Sequence, residues 1–385
     1  MKQFTFNTAG RIVFGEGSVA RLGEIAAAQL GRRIVLVTDP GLLKAGVIEP
    51  ALKSLAEAKI EVSVYSDVEA DPPEHVIEGA AAAARAFKAE AVIGLGGGSS
   101  MDTAKLVALL ATGREKLGDI YGIGNAKGPR LPLLLAPTTA GTGSEVTPIS
   151  IVTTGGAEKK GVVSPIILPD IALLDPDLTI GLPPHVTAAT GVDAMVHAIE
   201  AYASASPNNN PVSRALAQEA LRLLGGSIER AVAVGSDKKA RGDMLLGAML
   251  AGQAFANSPV AAVHALAYPI GGHYHVPHGL SNALMLSHVL RFNAETAAMA
   301  YTEIAPCAFP ELAELGSQAR AMALAEKLAA LSTRIGLQQR LRDVGIPADA
   351  VPMLAADAMK QTRLLVNNPR TVTEKDALRL YEAAW

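Results

Sequence analysis

The pattern of apolar and polar positions divides the chain into two parts. In the first part, residues 33–39, 60–68, 89–95 and 132–136 form short apolar or alternating runs of strand length. Apolar residues at helical spacing separate them, at residues 47–58 and 73–87. Strands alternating with helices are typical of a parallel sheet covered on both faces. We therefore predict an α/β domain with a Rossmann-like parallel sheet over residues 1–184.

Beyond residue 184 the strand pattern stops. Helical spacing continues over residues 187–203, 211–234, 240–256, 317–335 and 374–384, and Ser, Thr, Asn or Pro often begins these segments. We predict an all-α domain over residues 185–385.

Composition narrows the function classes. A chain of 385 residues suits two domains, and 49% hydrophobic with 18% charged residues is a globular composition. A net charge of −3 without a lysine- or arginine-rich run argues against a nucleic-acid partner. Cys307 is the single cysteine, and we interpret it as inert, near a helix end. No segment resembles a signal peptide or spans a bilayer, so we expect a cytoplasmic protein without a membrane partner.

The strongest signal in the first part is a glycine-rich turn after the apolar run that ends at residue 95. Gly96, Gly97 and Gly98 are followed by Ser99 and a helical pattern. Glycines let backbone amides approach a phosphate, and the N-terminus of a helix favours its negative charge. Ser99 is predicted both to cap this helix and to donate to a phosphate oxygen. A tight turn alone needs one glycine, so three favour phosphate binding.

Two further elements favour NAD as the dinucleotide. Asp39 follows the first strong strand, and its carboxylate suits the ribose diol of NAD and would repel the extra phosphate of NADP. Considered alone, Asp39 is equally well interpreted as a capping aspartate. The threonine- and glycine-rich segment 136–147 is predicted to line the dinucleotide. The acidic residue precedes the glycines, unlike the usual Rossmann fingerprint. Segment 122–128 (GIGNAKG) follows no convincing strand, and we interpret it as a loop.

Histidines indicate a metal site in the second part. Asp193 and His197 stand four residues apart on a predicted helix, so both side chains lie on one face. Five of the eight histidines fall between His264 and His288. One carboxylate with three imidazoles suits Fe(II) or Zn(II) and leaves a position for an alcohol oxygen. Several histidines in this stretch leave the choice of the third imidazole open.

Four segments resemble the iron-containing (group III) alcohol dehydrogenase family: GLGGGSSMDTAK, APTTAGTGSEVT, DPDLTIGLPPHVTAATGVDAMVHAIEAY and VHALAYPIGGHYHVPHG. The opening FNTAGRIVFGEGS and the closing helices also fit, so the similarity covers nearly the whole chain. It implies the dehydroquinate synthase-like fold, an N-terminal dinucleotide-binding domain and a helical metal- and substrate-binding domain. It also implies hydride transfer between NAD and a small alcohol or aldehyde, with Fe²⁺ or alternatively Zn²⁺, in a homodimer or larger homo-oligomer.

The resemblance also assigns residues by motif. The implied metal ligands are Asp193, His197, His264 and His278. The implied cofactor neighbours are Asp39, Gly96, Gly97, Gly98, Ser99, Thr138, Thr139 and Thr142. Asp102 and Lys160 are further candidates for contact with the cofactor, and Lys160 has the alternative interpretation of a solvated hairpin charge.

The chain departs from many relatives at Tyr268, where they carry a histidine four residues after the third ligand. A phenol holds its proton at neutral pH and is a poorer base than imidazole. We expect Tyr268 to orient the substrate, or merely to pack, while His273 or His275 connects the site to solvent.

Three alternatives stay open on the sequence alone. One is a maleylacetate reductase- or glycerol dehydrogenase-like enzyme on the same fold, which would be metal-independent or zinc-dependent. Another is a dehydroquinate synthase-like lyase, disfavoured because no basic cluster accompanies the histidines. A non-catalytic NAD-binding protein is disfavoured by the complete metal set.

Overall fold

The computed structural model describes residues 3–155 and 158–385, which divide into two compact units. The first, called the α/β unit, comprises Asn7–Thr139 and Gly143–Ile180. The second, called the helical unit, comprises Gly181–Trp385 with the short segment Ala140–Thr142 and the N-terminal residues up to Phe6.

Short strands and helices alternate in the α/β unit. Its strands are β1 (Arg11–Phe14), β2 (Arg33–Val37), β3 (Glu61–Tyr65), β4 (Ala91–Gly96), β5 (Gly122–Ile123), β6 (Leu133–Pro137), β7 (Ile149–Thr154), β8 (Glu158–Val163) and β9 (Ile171–Leu174). Its α-helices are α1 (Leu22–Gln29), α2 (Pro40–Lys44), α3 (Glu49–Glu57), α4 (Glu74–Ala86) and α5 (Gly98–Leu110).

Among the described residues, six parallel strands form the main sheet in the order β1-β9-β6-β4-β2-β3. Successive side chains of a strand point to opposite faces, and in β2 both sets are apolar. Ile34 and Leu36 belong to one hydrophobic cluster, and Val35 and Val37 belong to another. The strand reads as a continuous apolar run because helices cover the sheet on both sides.

A smaller sheet of the same unit corrects one prediction. Gly122–Ile123 was expected to lie in a loop, but it forms β5 and pairs with Val162 and Val163 of β8. β8 in turn pairs antiparallel with β7. The strand is only two residues long and both are exposed, so the local pattern carries no strand signal and a distant partner determines the pairing.

The helical unit contains α6 (Pro184–Ala203), α7 (Pro211–Ala233), α8 (Lys238–Asn257), α9 (Ala262–Tyr274), α10 (His278–Asn293), α11 (Ala298–Ala308), α12 (Ser317–Arg334), α13 (Val351–Ala358), α14 (Thr362–Leu365) and α15 (Glu374–Ala384). In the described part of the chain no strand follows β9. The predicted fold class, a parallel α/β sheet followed by helices, is confirmed. Of the helices that are described, none is both long enough and apolar enough to cross a membrane.

Candidate metal centre and cofactor site

Most of the predicted cofactor residues of the α/β unit lie at or just after the ends of three adjacent strands. β6, β4 and β2 are parallel neighbours, so their carboxyl ends lie at one edge of the sheet. β3 lies on one side of β2 and β4 on the other, so the strand order reverses between β2 and β4. Open α/β sheets bind ligands outside the carboxyl ends of their strands at such a reversal.

The glycine-rich turn joins β4 to α5 at this edge. A Cβ atom at Gly96 would lie 2.5 Å from Ser100 Oγ, so only glycine fits there. α5 has no side-chain cap, which leaves its first backbone N–H groups facing the turn. The prediction that Ser99 caps α5 is wrong, because Ser99 lies inside the first turn and Gly97 is the N-cap. Ser99 Oγ instead accepts a hydrogen bond from the backbone N–H of Asp71 at 3.2 Å and keeps its own hydrogen for donation.

Asp39 lies just beyond β2 and is the N-cap of α2. Its Oδ1 accepts a hydrogen bond from the backbone N–H of Leu42 at 3.0 Å. The capping interpretation of this residue is therefore correct, and it is compatible with a ribose contact because a carboxylate has a second oxygen.

Asp102 joins α5 to the segment that follows β6. Its Oδ1 accepts from Ser144 Oγ at 2.6 Å, and its Oδ2 accepts from the backbone N–H of Ile151 at 2.9 Å. These contacts make Asp102 a link between elements of the α/β unit.

Lys105 is a buried cation beside Asp102 that the sequence analysis did not single out. Its Nζ lies 3.6 Å from Asp102 Oδ1 and donates to Ser144 Oγ at 2.8 Å, Thr147 Oγ1 at 3.1 Å and the Ile149 carbonyl at 2.7 Å. Burial lowers the pKa of Lys105 to about 8. Its position on α5 three residues after Asp102 was the only local signal.

The remaining predicted cofactor neighbours lie in different settings. Thr138 and Thr139 follow β6, and the backbone N–H of Thr138 donates to the Gly96 carbonyl at 3.0 Å. Thr142 lies in the short segment of the helical unit. Lys160 lies in β8, 3.4 Å from Glu158, with its Nζ 5.8 Å from the centre of the Tyr121 ring.

The helical unit brings the four predicted metal residues together. Asp193 and His197 lie one turn apart on α6, His264 lies in the first turn of α9, and His278 begins α10. One ligand atom from each lies within 4.8 Å of the others. His278 Nε2 is 3.6 Å and His264 Nε2 is 3.9 Å from Asp193 Oδ1.

Close packing of α10 on α6 helps to produce this convergence. A Cβ atom at Gly279 would lie 2.4 Å from the Ala189 carbonyl oxygen and 3.3 Å from Asp193 Cβ. Any larger residue would push α10 away from α6 and separate His278 from Asp193.

The electrostatics of the cluster suit a divalent cation. Burial lowers the pKa of His197 to about 3, so this imidazole is neutral. Burial alone would raise the pKa of Asp193, but the three imidazoles and Asn282 bring it below its usual value, so Asp193 carries a negative charge. Among the described residues, His264 Nε2 is buried and has no hydrogen-bond partner. An unpaired buried nitrogen beside a carboxylate and two imidazoles fits a bound metal.

Three groups surround the cluster, and the sequence analysis had assigned none of them a role at the metal site. The Gly141 carbonyl lies 3.3 Å from His197 Nδ1, and Glu200 Oε2 lies 2.7 Å from His264 Nδ1. Asn282 Nδ2 donates to Asp193 Oδ1 at 2.5 Å and lies 3.2 Å from His278 Nε2. The spacing of Glu200, seven residues after Asp193 and three after His197, placed it on the same face of α6 and was the missed signal.

The three residues predicted to handle the substrate and proton lie on or directly after α9. Tyr268 is one turn beyond His264, and its ring centre is 5.9 Å from that of His278. His273 Nε2 lies 2.5 Å from Asp357 Oδ2, and the His273 side chain is 37% exposed. His275 is the exposed C-cap of α9.

Comparison with known proteins agrees with this architecture. Residues 9–176 match the family described as iron-containing alcohol dehydrogenase, and residues 187–385 match the C-terminal region of the Fe-containing alcohol dehydrogenase family. The chain is 40% identical to long-chain-alcohol dehydrogenase 1 of Geobacillus thermodenitrificans, over 98% of this chain and 97% of that protein.

Solved structures show the same similarity over whole chains. A crystal structure of 1,3-propanediol oxidoreductase superposes with a TM-score of 0.96 at 35% identity, over 100% of both chains. The sulfoacetaldehyde reductase of Bifidobacterium kashiwanohense, solved in complex with NAD⁺, gives a TM-score of 0.88 at 28% identity, over 100% of this chain and 99% of that one.

The fold and these relatives define an NAD- and metal-dependent oxidoreductase. The chain belongs to the iron-containing alcohol dehydrogenase family. Its reaction is hydride transfer between NAD(H) and an alcohol or aldehyde, with a divalent metal.

Proposed function

We propose that Asp193, His197, His264 and His278 bind the catalytic iron of an alcohol dehydrogenase that acts on small alcohols and aldehydes. The observation that carries this proposal is the convergence of their four ligand atoms within 4.8 Å, around a buried His264 Nε2 for which the described residues offer no hydrogen-bond partner. Zinc is the alternative ion, because nitrogen and oxygen donors accept both.

The N-terminal domain, residues 1–184, is proposed to bind NAD. The backbone N–H groups of Gly97, Gly98 and Ser99 would hold the pyrophosphate at the start of α5, and Asp39 would accept from the ribose diol. The support is the position of both elements at the strand reversal between β2 and β4. Gly96, Asp102, Thr138, Thr139, Thr142 and Lys160 complete the proposed set of cofactor neighbours.

The C-terminal domain, residues 185–385, is proposed to bind the metal and the substrate. A divalent metal held there supplies a Lewis acid that lowers the pKa of a substrate hydroxyl. Tyr268 lies beside His278 and would orient the substrate through its hydroxyl. His273 and His275, both exposed, would exchange the released proton with solvent. The contact between His273 Nε2 and Asp357 Oδ2 supports this role, because it gives the exposed ring a hydrogen-bonding partner.

The relatives indicate a substrate range rather than one compound. Their names include a long-chain-alcohol dehydrogenase and a 1,3-propanediol oxidoreductase. We propose a small primary alcohol, diol, lactaldehyde-like compound or hydroxy acid as the substrate.

We also propose that the protein works in the cytoplasm as a homodimer or larger homo-oligomer. β1 is an edge strand of the main sheet, and Ile12 and Phe14 on it are 37% and 42% exposed. An unpaired strand edge with exposed apolar side chains supports pairing with a second copy.

Metal removal and restoration tests the central proposal. The protein, purified without oxygen, would be stripped with chelator and restored with Fe(II), Zn(II) or neither, and NADH formation would be followed with a panel of alcohols, diols and hydroxy acids. We expect turnover to return only with metal. His264→Ala should bind no metal and show no turnover, whereas His288→Ala, a partly buried histidine of α10 outside the cluster, should retain both.

Two results would contradict the proposal. Equal turnover without metal would place the chain with metal-independent reductases and make the histidines structural. Full metal content in folded His264→Ala would show that the ion binds elsewhere.

A further inference from the structure

Glu200 is a buried carboxylate on α6 with three hydrogen-bond donors around it. Its side chain is 5% exposed. Oε1 accepts from the backbone N–H of Val263 at 2.7 Å. Oε2 accepts from the backbone N–H of Ala261 at 2.9 Å and lies 2.7 Å from His264 Nδ1.

Two of these contacts cap a helix from outside. Ala261 is the N-cap of α9, and α9 has no side-chain cap of its own. The first N–H groups of a helix lack partners within the helix, and a negative charge near them is favourable. Glu200 therefore attaches the beginning of α9, which carries His264, to α6, which carries Asp193 and His197.

The third contact fixes which nitrogen of His264 carries the hydrogen. The carboxylate already accepts two backbone N–H groups, so Nδ1 must donate to it. In a neutral imidazole the other nitrogen, Nε2, then carries the lone pair that a metal requires. That same Nε2 is the buried atom lacking a hydrogen-bond partner among the described residues, 3.9 Å from Asp193 Oδ1.

We propose that Glu200 is a positioning residue that holds His264 in its metal-binding tautomer and orientation. The inference rests on the proposed metal site and deepens it. Glu200 would touch neither metal nor substrate and would act only through His264. Loss of such an outer carboxylate lowers metal affinity about 10- to 100-fold in other metal sites, and we expect an effect of that size here.

Glu200→Gln tests this with little change in volume. Glutamine offers one acceptor oxygen instead of two, so its NH₂ group must face either the N–H of Val263 or the pair formed by Ala261 and His264. In the first arrangement the glutamine NH₂ group faces the N–H of Val263, and because both are donors the beginning of α9 shifts. In the second the NH₂ group can donate to Nδ1, which transfers the ring hydrogen to Nε2.

Asp175→Asn is the matched control. Asp175 is also a buried carboxylate that accepts three backbone N–H groups, from Gly17 and Asp177 at 3.0 Å and from Val19 at 2.9 Å, but it lies in the α/β unit. Both variants lose a carboxylate oxygen that satisfies backbone donors. Only Glu200→Gln alters a contact to the proposed metal site.

Chelator competition on the Zn(II)- or Co(II)-loaded enzyme would give the dissociation constant of the metal, and the visible spectrum of the Co(II) form would report its coordination. We expect weaker binding by about 10- to 100-fold and an altered spectrum for Glu200→Gln, with Asp175→Asn equal to the original chain. Unchanged binding in Glu200→Gln, or an equal loss in Asp175→Asn, would overturn the inference. No metal uptake by the original chain would instead refute the proposed metal site, and this inference with it.

A second measurement does not need the Glu200 variant to fold. Nitrogen-15 NMR of the histidine rings after chelation distinguishes a hydrogen on Nδ1 from one on Nε2, and the His264 signal is the one missing from His264→Ala. We expect the hydrogen on Nδ1. A hydrogen on Nε2 would overturn the assignment.

Discussion

Replacement of Lys105 by methionine would test the buried network that holds α5 in the α/β unit. The lysine side chain is fully buried, and methionine has a similar volume and length. The change removes hydrogen bonds to Ser144, Thr147 and Ile149, and it leaves Asp102 without the cation 3.6 Å away. The sheet, the helices and the metal cluster are otherwise untouched.

The expected loss in the free energy of unfolding depends on the contacts that Asp102 keeps after the change. Removing one partner of a buried charge pair costs about 3–5 kcal/mol, because the other charge stays buried without compensation. Asp102 keeps its hydrogen bonds from Ser144 and Ile151, and its side chain is 16% exposed, so the lower end applies. We expect Lys105→Met to lower the free energy of unfolding by about 3 kcal/mol.

Urea unfolding followed by circular dichroism would measure this. With an m-value of about 3 kcal/mol/M, the midpoint should fall by about 1 M. Lys53→Met is the control, because Lys53 is 79% exposed and its Nζ lies 3.9 Å from Glu57 Oε1 in a surface ion pair that contributes little to stability. The urea midpoint of this variant should shift by less than about 0.2 M. A Lys105→Met midpoint as high as that of the control would refute the reasoning that this network stabilises the unit.

Two other predictions concern the same unit. Asp39→Ser keeps an N-cap for α2 but removes the negative charge that would repel the extra phosphate of NADP. The ratio of kcat/KM for NADP to kcat/KM for NAD should therefore rise about tenfold or more. An unchanged ratio would place Asp39 away from the ribose. Stability should also depend on pH through Lys105 and Glu145, because burial lowers the lysine pKa from 10.5 to about 8 and raises the glutamate pKa from 4.5 to about 7. Between pH 8 and 10.5, Lys105 binds fewer protons in the folded state than in the unfolded state, so the free energy of unfolding should rise with pH by about 3 kcal/mol. Between pH 4.5 and 7, Glu145 binds more protons in the folded state, so the free energy of unfolding should fall with pH by about 3 kcal/mol. Urea midpoints from pH 5 to 10 would check this, and Lys105→Met should lose the rise at high pH while Glu145→Gln should lose the fall at low pH.

The elements predicted well are those whose own residues determine them. The pattern over residues 374–384 gives α15 at its observed bounds, where Thr373 and Asp376 form a capping box. β2 is recognisable because it is apolar on both faces. β5 was missed because it consists of two exposed residues, and its pairing depends on β8, some forty residues further along the chain. Ser99 was misassigned as a cap because α5 begins at Gly98, two residues earlier than a helix capped by Ser99 would, and the local pattern does not distinguish the two starting points.

The same distinction applies to the candidate metal site. Asp193 and His197 were predictable because their separation of four residues determines that they share a helix face, and histidines are rare enough to be noticed. Glu200 has an ordinary residue type, and its partner His264 is 64 residues away, so only the folded chain reveals that one carboxylate serves both a helix end and an imidazole. Donor atoms are therefore predictable from residue type and spacing. Their orientation depends on long-range contacts such as this one, and the tautomer of His264 could not be assigned before the structure was known.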